Sequence, residues 1–149
     1  MLPLCNEDIL REGFCVGVHY ASVDRGYRIR LCKAIIEVMR QHKVQQLWEF
    51  PDPTGPRLIL CPPQFRNAYV EIAKQNLSAA LETEVAYRKF IYAGQPVSFG
   101  AQGRILIKQA FRGHLKVKAT DDVVLFGTGG WYELWPEKDW TDRDSGHGT

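Results

Sequence analysis

The sequence lacks any apolar run that approaches the roughly 18 residues needed to span a bilayer. Charged side chains also interrupt residues 6–12, where a secretory signal peptide would need its apolar stretch. These absences predict a cytoplasmic protein with no membrane partner. With 149 residues, 45% of them hydrophobic and 24% charged, the chain has the size and composition of one domain or of two closely paired halves.

Signatures of metal binding and catalysis are missing as well. The four cysteines (Cys5, Cys15, Cys32 and Cys61) form no Cys-x-x-C pair, and no histidine stands at ligand spacing from two of them. The pattern favours reduced, mostly buried thiols and predicts neither a metal nor a cofactor. No catalytic triad is legible, and the glycine-rich residues 127–130 lack the Lys-Ser/Thr and the following helix of a phosphate loop. We therefore expect a hairpin turn there and no enzymatic activity.

The net charge of +2 is small, but the charge is unevenly distributed. Residues 23–44 carry six basic and two acidic side chains, and residues 103–118 carry five basic side chains and no acid. Acidic residues are concentrated in residues 133–144. Two basic segments of this kind fit either two solvated faces or a surface for a polyanion, and charge alone leaves both interpretations open.

An internal repeat is the strongest pattern in the chain. Residues 28–35 align with residues 104–111, an offset of 76, and both segments combine an arginine with alternating aliphatics before a helical pattern. Each copy continues through a strand, a glycine turn and a second strand that ends at a proline, Pro62 or Pro136. The pattern predicts two units of about four short strands and one small helix each.

Two other segments lie outside the repeated units. Residues 63–93 show apolar side chains at helical spacing and predict a helical connector. Residues 141–149 are rich in Asp, Gly and Ser and predict a disordered tail.

Several motifs resemble the MraZ family of bacterial transcription factors, which belong to the AbrB/MazE swapped-hairpin superfamily. The similarity spans about residues 14–140 and is carried by these segments: Asp24-Arg25-Gly26-Tyr27-Arg28, Gln102-Gly103-Arg104-Ile105-Leu106-Ile107 and Tyr132-Glu133-Leu134-Trp135. The resemblance implies a mainly β fold with short helices, in which tandem swapped-hairpin halves of the double-split β-barrel type occupy residues 14–62 and 94–140 and are joined by the connector 63–93.

The family's Asp-x-x-x-Arg motif maps onto Asp24 and Arg28 in the first half and onto Arg104 in the second. The chain also departs from the family pattern, which makes it a divergent member. Gly100 stands where the second motif has its acid, and Tyr27 stands where the first motif has a glycine. The proline that usually closes the arginine strand is Cys32 in one half and Lys108 in the other.

The chemistry of the motif suits DNA. A guanidinium offers a planar fork of donors that matches guanine O6 and N7 or two phosphate oxygens, and a carboxylate four residues earlier can hold that fork in place. Without such an acid, Arg104 is predicted to be looser and more phosphate-directed. The alternative is an exposed Asp24–Arg28 ion pair worth only about 0–1 kcal/mol. Further predicted phosphate contacts are Arg30, Lys33, Lys108 and Arg112.

These observations predict a sequence-specific regulator of transcription that binds double-stranded DNA. The resemblance implies a ring-like homo-oligomer, a nucleoid location and DNA repeats upstream of division and cell-wall genes as the target; repression and activation are both open. The alternative is a protein-interaction or assembly module that kept the fold and lost specific DNA readout. The glycine at position 100 and the modest net charge motivate that alternative.

Overall fold

The architecture is mainly β with short helices, as predicted. The computed structural model describes residues 12–80, 88 and 92–147. The strands are β1 (Val18–Ser22), β2 (Arg28–Arg30), β3 (Gln46–Pro51), β4 (Leu58–Cys61), β5 (Gln95–Ser98), β6 (Arg104–Leu106), β7 (Asp122–Gly127) and β8 (Tyr132–Pro136). The helices are α1 (Lys33–Gln41), α2 (Arg66–Ala80), α3 (Gln109–Leu115) and α4 (Glu137–His147), with a 3-10 turn at Pro63–Phe65 before α2. Within the described residues, none of these helices is long and apolar enough to cross a membrane.

Both halves of the chain use the same order of elements. In each half, two strands precede a small helix and two strands follow it. Strand β2, helix α1 and strand β3 begin at residues 28, 33 and 46, and β6, α3 and β7 begin 76 residues later, at 104, 109 and 122. Tyr27 and Gly103, also 76 residues apart, both have left-handed backbones, with φ of 59° and 68°. The offset found in the sequence therefore also relates the two halves in space.

In the described part of the chain, eight strands form two antiparallel sheets that combine strands of both halves. Six of them lie in the order β1-β7-β8-β4-β3-β5, and β2 pairs with β6 in a separate two-stranded ribbon. Strands β3 and β4 pair within the first half and β7 and β8 within the second, whereas β1 pairs with β7 and β5 pairs with β3. Each half therefore supplies an edge strand to the other half, and neither half completes its sheet alone.

The main core lies between the six-stranded sheet, the ribbon and the two small helices. One face of each central strand points into it, as Leu47 of β3 and Leu125 of β7 show. Helix α1 contributes Ile35 and Met39, which are one turn apart and buried. Because a buried aliphatic side chain stabilises a fold by about 1.5–3 kcal/mol, this shared core holds the halves together.

Helices α2 and α4 cover the opposite face of the sheet. Tyr69 of α2 packs with Phe50 and Ile59, and Trp140 of α4 packs with Val124 and Trp135. The strands are thus buried on both faces, which explains why β4 consists of four consecutive buried apolar residues. The connector is helical over residues 66–80 and at residue 88, while residues 81–87 and 89–91 lie outside the described residues.

Helix α4 continues through residues 141–147, the segment predicted from composition to be a disordered tail. Glu137 and Asp139 stand in the first turn, where negative charge favours a helix. Trp140 is buried on the sheet, and the guanidinium of Arg143 lies 4.1 Å from its ring. A single apolar anchor and its covering cation therefore outweigh the polar composition. Residues 148–149 lie outside the described residues.

Candidate nucleic-acid interface

The ribbon brings arginines of both halves onto one outer face. In its register Arg30 lies opposite Arg104, Ile29 opposite Ile105, and Arg28 opposite Leu106. Since side chains alternate along a strand, the two isoleucines point inward, where both are almost completely buried, and the three arginines point outward, where all are exposed. Arg28 and Arg104 therefore share one surface across the strand pair.

The Asp24 carboxylate attracts Arg28 and Arg104 electrostatically, but the described residues place no acid in direct contact with these arginines. Among the described residues, no ion pair is formed by Arg28, Arg30 or Arg104. Like charges directly opposite one another in a ladder are destabilising, and Arg30 and Arg104 are such a pair. The arrangement therefore favours the binding of an external anion.

The carboxylate of Asp24 builds the turn that leads into β2. Its Oδ1 accepts the backbone N–H of Gly26 at 2.8 Å and that of Arg28 at 2.9 Å. The Arg28 bond is the largest cause that holds the pKa of Asp24 below its ordinary value. The Gly26 bond and the charges of Arg104 and Arg28 act in the same direction. The carboxylate is therefore ionised within the field of arginines from both halves.

This geometry corrects the expected role of Asp24. The sequence suggested that the carboxylate pairs with the Arg28 guanidinium. In the structure the carboxylate instead accepts the Arg28 backbone N–H, and no ion pair joins the two side chains in the described residues. A Cβ atom built at Gly26 would lie 2.8 Å from Arg28 Nη1, so the guanidinium folds back over the turn. Asp24 thus fixes the backbone from which Arg28 projects.

The second turn is built differently. Gly100 has a left-handed backbone with φ of 55°, and the Gly103 N–H lies 3.4 Å from the Gly100 carbonyl, compared with 3.0 Å between Tyr27 and Asp24 in the first turn. No acidic side chain caps this turn, since its residues are Gly100, Ala101, Gln102 and Gly103. The backbone before Arg104 is therefore held by fewer bonds than that before Arg28.

The remaining predicted contacts differ in accessibility. Lys33 is 90% exposed at the start of α1 and lies 3.9 Å from Glu37. Lys108 is half-buried. Arg112 donates from Nε to the Ile107 carbonyl at 3.0 Å, and its guanidinium lies 4.1 Å from the ring centre of Tyr27. Those contacts hold Arg112 against the protein, so we leave it out of the proposed contact set.

A buried acid beneath the interface was missed by the sequence analysis. Glu49 of β3 is fully buried, its Oε1 accepts the Lys108 backbone N–H at 3.2 Å, and its Oε2 has no hydrogen-bond partner among the residues that the structure describes. Burial raises the pKa of Glu49 to about 7, although the Lys108 N–H and charge lower it. The sequence did carry a signal for this buried acid: side chains on one face of a strand recur every second residue, so Glu49 shares its face with Leu47.

The other motifs belong to the scaffold. Residues 128–131 connect β7 to β8, so the glycine-rich segment lies in a hairpin as predicted. Of the cysteines in the described residues, Cys15 and Cys61 are buried and Cys32 is partly buried, all as free thiols. Burial raises the pKa of Cys15 to about 12, which leaves it a poor nucleophile.

Comparison with protein-family models and with curated proteins finds no match to this chain. What the protein does must therefore be inferred from the side chains themselves.

Proposed function

We propose that this protein is a MraZ-like transcriptional regulator that binds double-stranded DNA through the β2–β6 ribbon. One observation carries the proposal: Arg28, Arg30 and Arg104 are exposed on one face of the ribbon, and no acid among the described residues pairs with them. DNA is the polyanion that best fits such a site, because its major groove admits a two-stranded ribbon and its guanines accept a guanidinium fork.

The two arginines of the motif have different parts in this proposal. Arg28 follows a turn fixed by the Asp24 carboxylate, so its guanidinium loses less conformational freedom on binding and suits base readout. Arg104 follows the less constrained turn at Gly100 and suits phosphate contact. Arg30, Lys33 and Lys108 add phosphate contacts that fix the register of the ribbon on DNA.

The strand exchange supports the finer fold assignment. Tandem swapped-hairpin halves at residues 14–62 and 94–140 fit a sheet in which each half lends an edge strand to the other. We propose in addition that several subunits assemble into a ring-like homo-oligomer on the nucleoid, as the MraZ resemblance implies. A single ribbon has few contacts, and several ribbons on spaced DNA repeats raise the avidity without any new contact.

The first test is selection of bound duplexes from a random pool at physiological salt. The enriched duplex is then titrated by fluorescence anisotropy across a salt series with Arg28→Ala and Arg104→Ala. Loss of a bidentate base contact weakens binding by about 1–3 kcal/mol, so we expect Arg28→Ala to lose on the order of 10-fold in affinity and to relax the selected sequence. Loss of a phosphate contact lowers the salt slope by about 0.9, which we expect for Arg104→Ala.

Lys74→Ala is the matched control, because it removes one positive charge from α2, on the sheet face away from the ribbon. Arg28→Lys keeps the charge and removes the fork, so it separates base readout from simple attraction. Unchanged affinity in both arginine-to-alanine variants would remove the ribbon from the mechanism.

The assembly alternative has one observation of its own. Val18 and Tyr20 are 43% and 64% exposed and alternate along β1, an edge strand of the six-stranded sheet; Val16, which is 60% exposed, precedes the strand. Hydrogen bonds of Cys15 and Gly17 to the β7 side indicate that Val18 and Tyr20 direct their backbone groups to the open edge, whereas the Val16 carbonyl is already hydrogen-bonded to His19 Nε2. A second copy of this chain can pair there antiparallel about a two-fold axis.

The two functions make opposite predictions for salt and DNA. An assembly module forms dimers that persist in high salt, and the substitution Val18→Lys dissociates them. Such a module is not retained on a DNA column and elutes with the void volume. A DNA-binding regulator is retained on the column and is released as salt rises. Sedimentation velocity and the column measure the two behaviours independently.

A further inference from the structure

One open groove lies at the C-terminal end of the small helix in each half, and the charges of the two grooves differ. The first groove, of about 660 Å³, is lined by Arg40 and Lys43 at the end of α1 and by residues 98–101. It joins a smaller cavity of about 350 Å³ through Lys43 and Ser98. No acidic side chain is among the described residues that line either one.

The second groove has about the same volume, 700 Å³, and part of its lining corresponds, after a shift of 76 residues, to residues of the first groove and its smaller neighbouring cavity. Lys116 corresponds to Arg40, and Asp121 and Asp122 correspond to Gln45 and Gln46. Its charged lining residues are Lys116, Lys118, Lys138, Asp121, Asp122, Glu137 and Asp142. Acids therefore outnumber bases here, whereas the first groove is purely basic.

The first groove is continuous with the arginine ribbon. Gly100 and Ala101 line it, and the same turn leads directly into Arg104. The turn rests on α1, since a Cβ atom built at Gly103 would lie 2.8 Å from Ile36 Cδ1, one helical turn before Arg40. Arg40 and Lys43 are both exposed and form no ion pair among the described residues.

We propose that Arg40 and Lys43 form a phosphate-binding extension of the ribbon, so that the DNA backbone crosses the first groove and is repelled from the second. This inference rests on the proposed function and adds the direction in which the DNA backbone leaves the ribbon, because the two ends of the ribbon are unequal. Charges within about 8–10 Å act on one another at physiological salt, so the carboxylates of the second groove oppose a phosphate placed there. The basic first groove attracts it.

The test compares two double variants that each remove two positive charges, one pair from each groove. Arg40→Ala/Lys43→Ala and Lys116→Ala/Lys118→Ala are titrated with a labelled random-sequence duplex pool across a salt series. Each phosphate contact contributes about 0.9 to the slope of log affinity against log salt, so we expect the first variant to lose about 1.8 and to bind on the order of 10-fold more weakly at low salt. We expect the second variant to keep the wild-type slope.

A third variant, Asp121→Asn/Asp122→Asn, tests the repulsion and is expected to bind more tightly than wild type. All substituted side chains are exposed, and the urea midpoint of each variant verifies its fold. Should Arg40→Ala/Lys43→Ala be unstable, Arg40→Gln/Lys43→Gln removes the charge and keeps the aliphatic stems.

The outcomes separate this inference from the function on which it rests. Equal losses of affinity in the two alanine double variants, or no loss in either, overturn the asymmetric path. The proposed function is still upheld in that case if wild-type binding depends on Arg28 and Arg104. A wild-type protein that does not bind the duplex pool overturns both.

Discussion

The ionisation of Glu49 is expected to control how the stability of the protein depends on pH. Its carboxyl is fully buried and has one hydrogen bond, from the Lys108 backbone N–H to Oε1. Burial raises the pKa of Glu49 from 4.5 to about 7 in the folded protein. In the unfolded chain, water restores the ordinary value.

The sign follows from proton binding. Between pH 4.5 and about 7 the folded protein holds a proton on Glu49 that the unfolded chain has released, so the free energy of unfolding falls as pH rises. Above about pH 7 both states are ionised and the curve levels out. Since each pKa unit corresponds to about 1.4 kcal/mol, the full loss is about 3 kcal/mol.

Urea unfolding of wild type and Glu49→Gln at several values between pH 5 and pH 8 measures this loss. The glutamine keeps an acceptor for the Lys108 N–H and cannot ionise. We therefore expect the free energy of unfolding of the variant, relative to that of wild type, to rise by about 2–3 kcal/mol from pH 5 to pH 8. Glu49→Leu introduces the residue found at the counterpart position 76 residues later, Leu125. This variant should be as insensitive to pH as Glu49→Gln but less stable than it, because leucine leaves the Lys108 N–H unpaired. Parallel curves for wild type and Glu49→Gln would refute the reasoning.

Two further predictions concern the backbone. Gly127→Ala places a Cβ atom 2.5 Å from the Cys15 carbonyl oxygen and the Val16 Cα, and should destabilise by about 1–3 kcal/mol, whereas Gly113→Ala meets open space in α3 and should stabilise by about 0.5–1 kcal/mol. Thermal unfolding of both variants checks the order, and the reverse order would contradict the packing argument. Tyr27 has φ of 59°, so Tyr27→Gly should be about 1 kcal/mol more stable than Tyr27→Ala in urea unfolding. Equal stability would show that the left-handed backbone costs nothing there.

The repeat could be predicted because it is local. Alternating aliphatics, glycine turns and strand-ending prolines recur at a fixed offset, and each acts on its own neighbours in the chain. The mainly β class and the small helices follow from such signals. The role of residues 141–147 could not be predicted, since their composition is polar and α4 depends on Trp140 docking on a sheet formed far away in sequence.

The candidate site was harder to predict, because its chemistry depends on contacts between distant residues. Arg30 and Arg104 are 74 residues apart in the chain, and they lie opposite each other because of the register between β2 and β6. The Glu49–Lys108 bond joins residues 59 positions apart. The spacing drew attention to Asp24 and Arg28, but spacing does not distinguish a bond to a guanidinium from one to the N–H of the same residue.

The divergence between the halves is coupled across the ribbon. Each turn packs on the small helix of the other half: Tyr27 on Arg112, and Gly103 on Ile36. A large side chain at position 27 is matched by a cation that lies over its ring. At position 103 there is no room for a Cβ atom beside the isoleucine. Because the turn residue and the helix residue both differ between the halves, the two ends of the ribbon differ in shape as well as in charge. Under the proposed function, a DNA duplex would therefore meet two unequal ends rather than a symmetric pair.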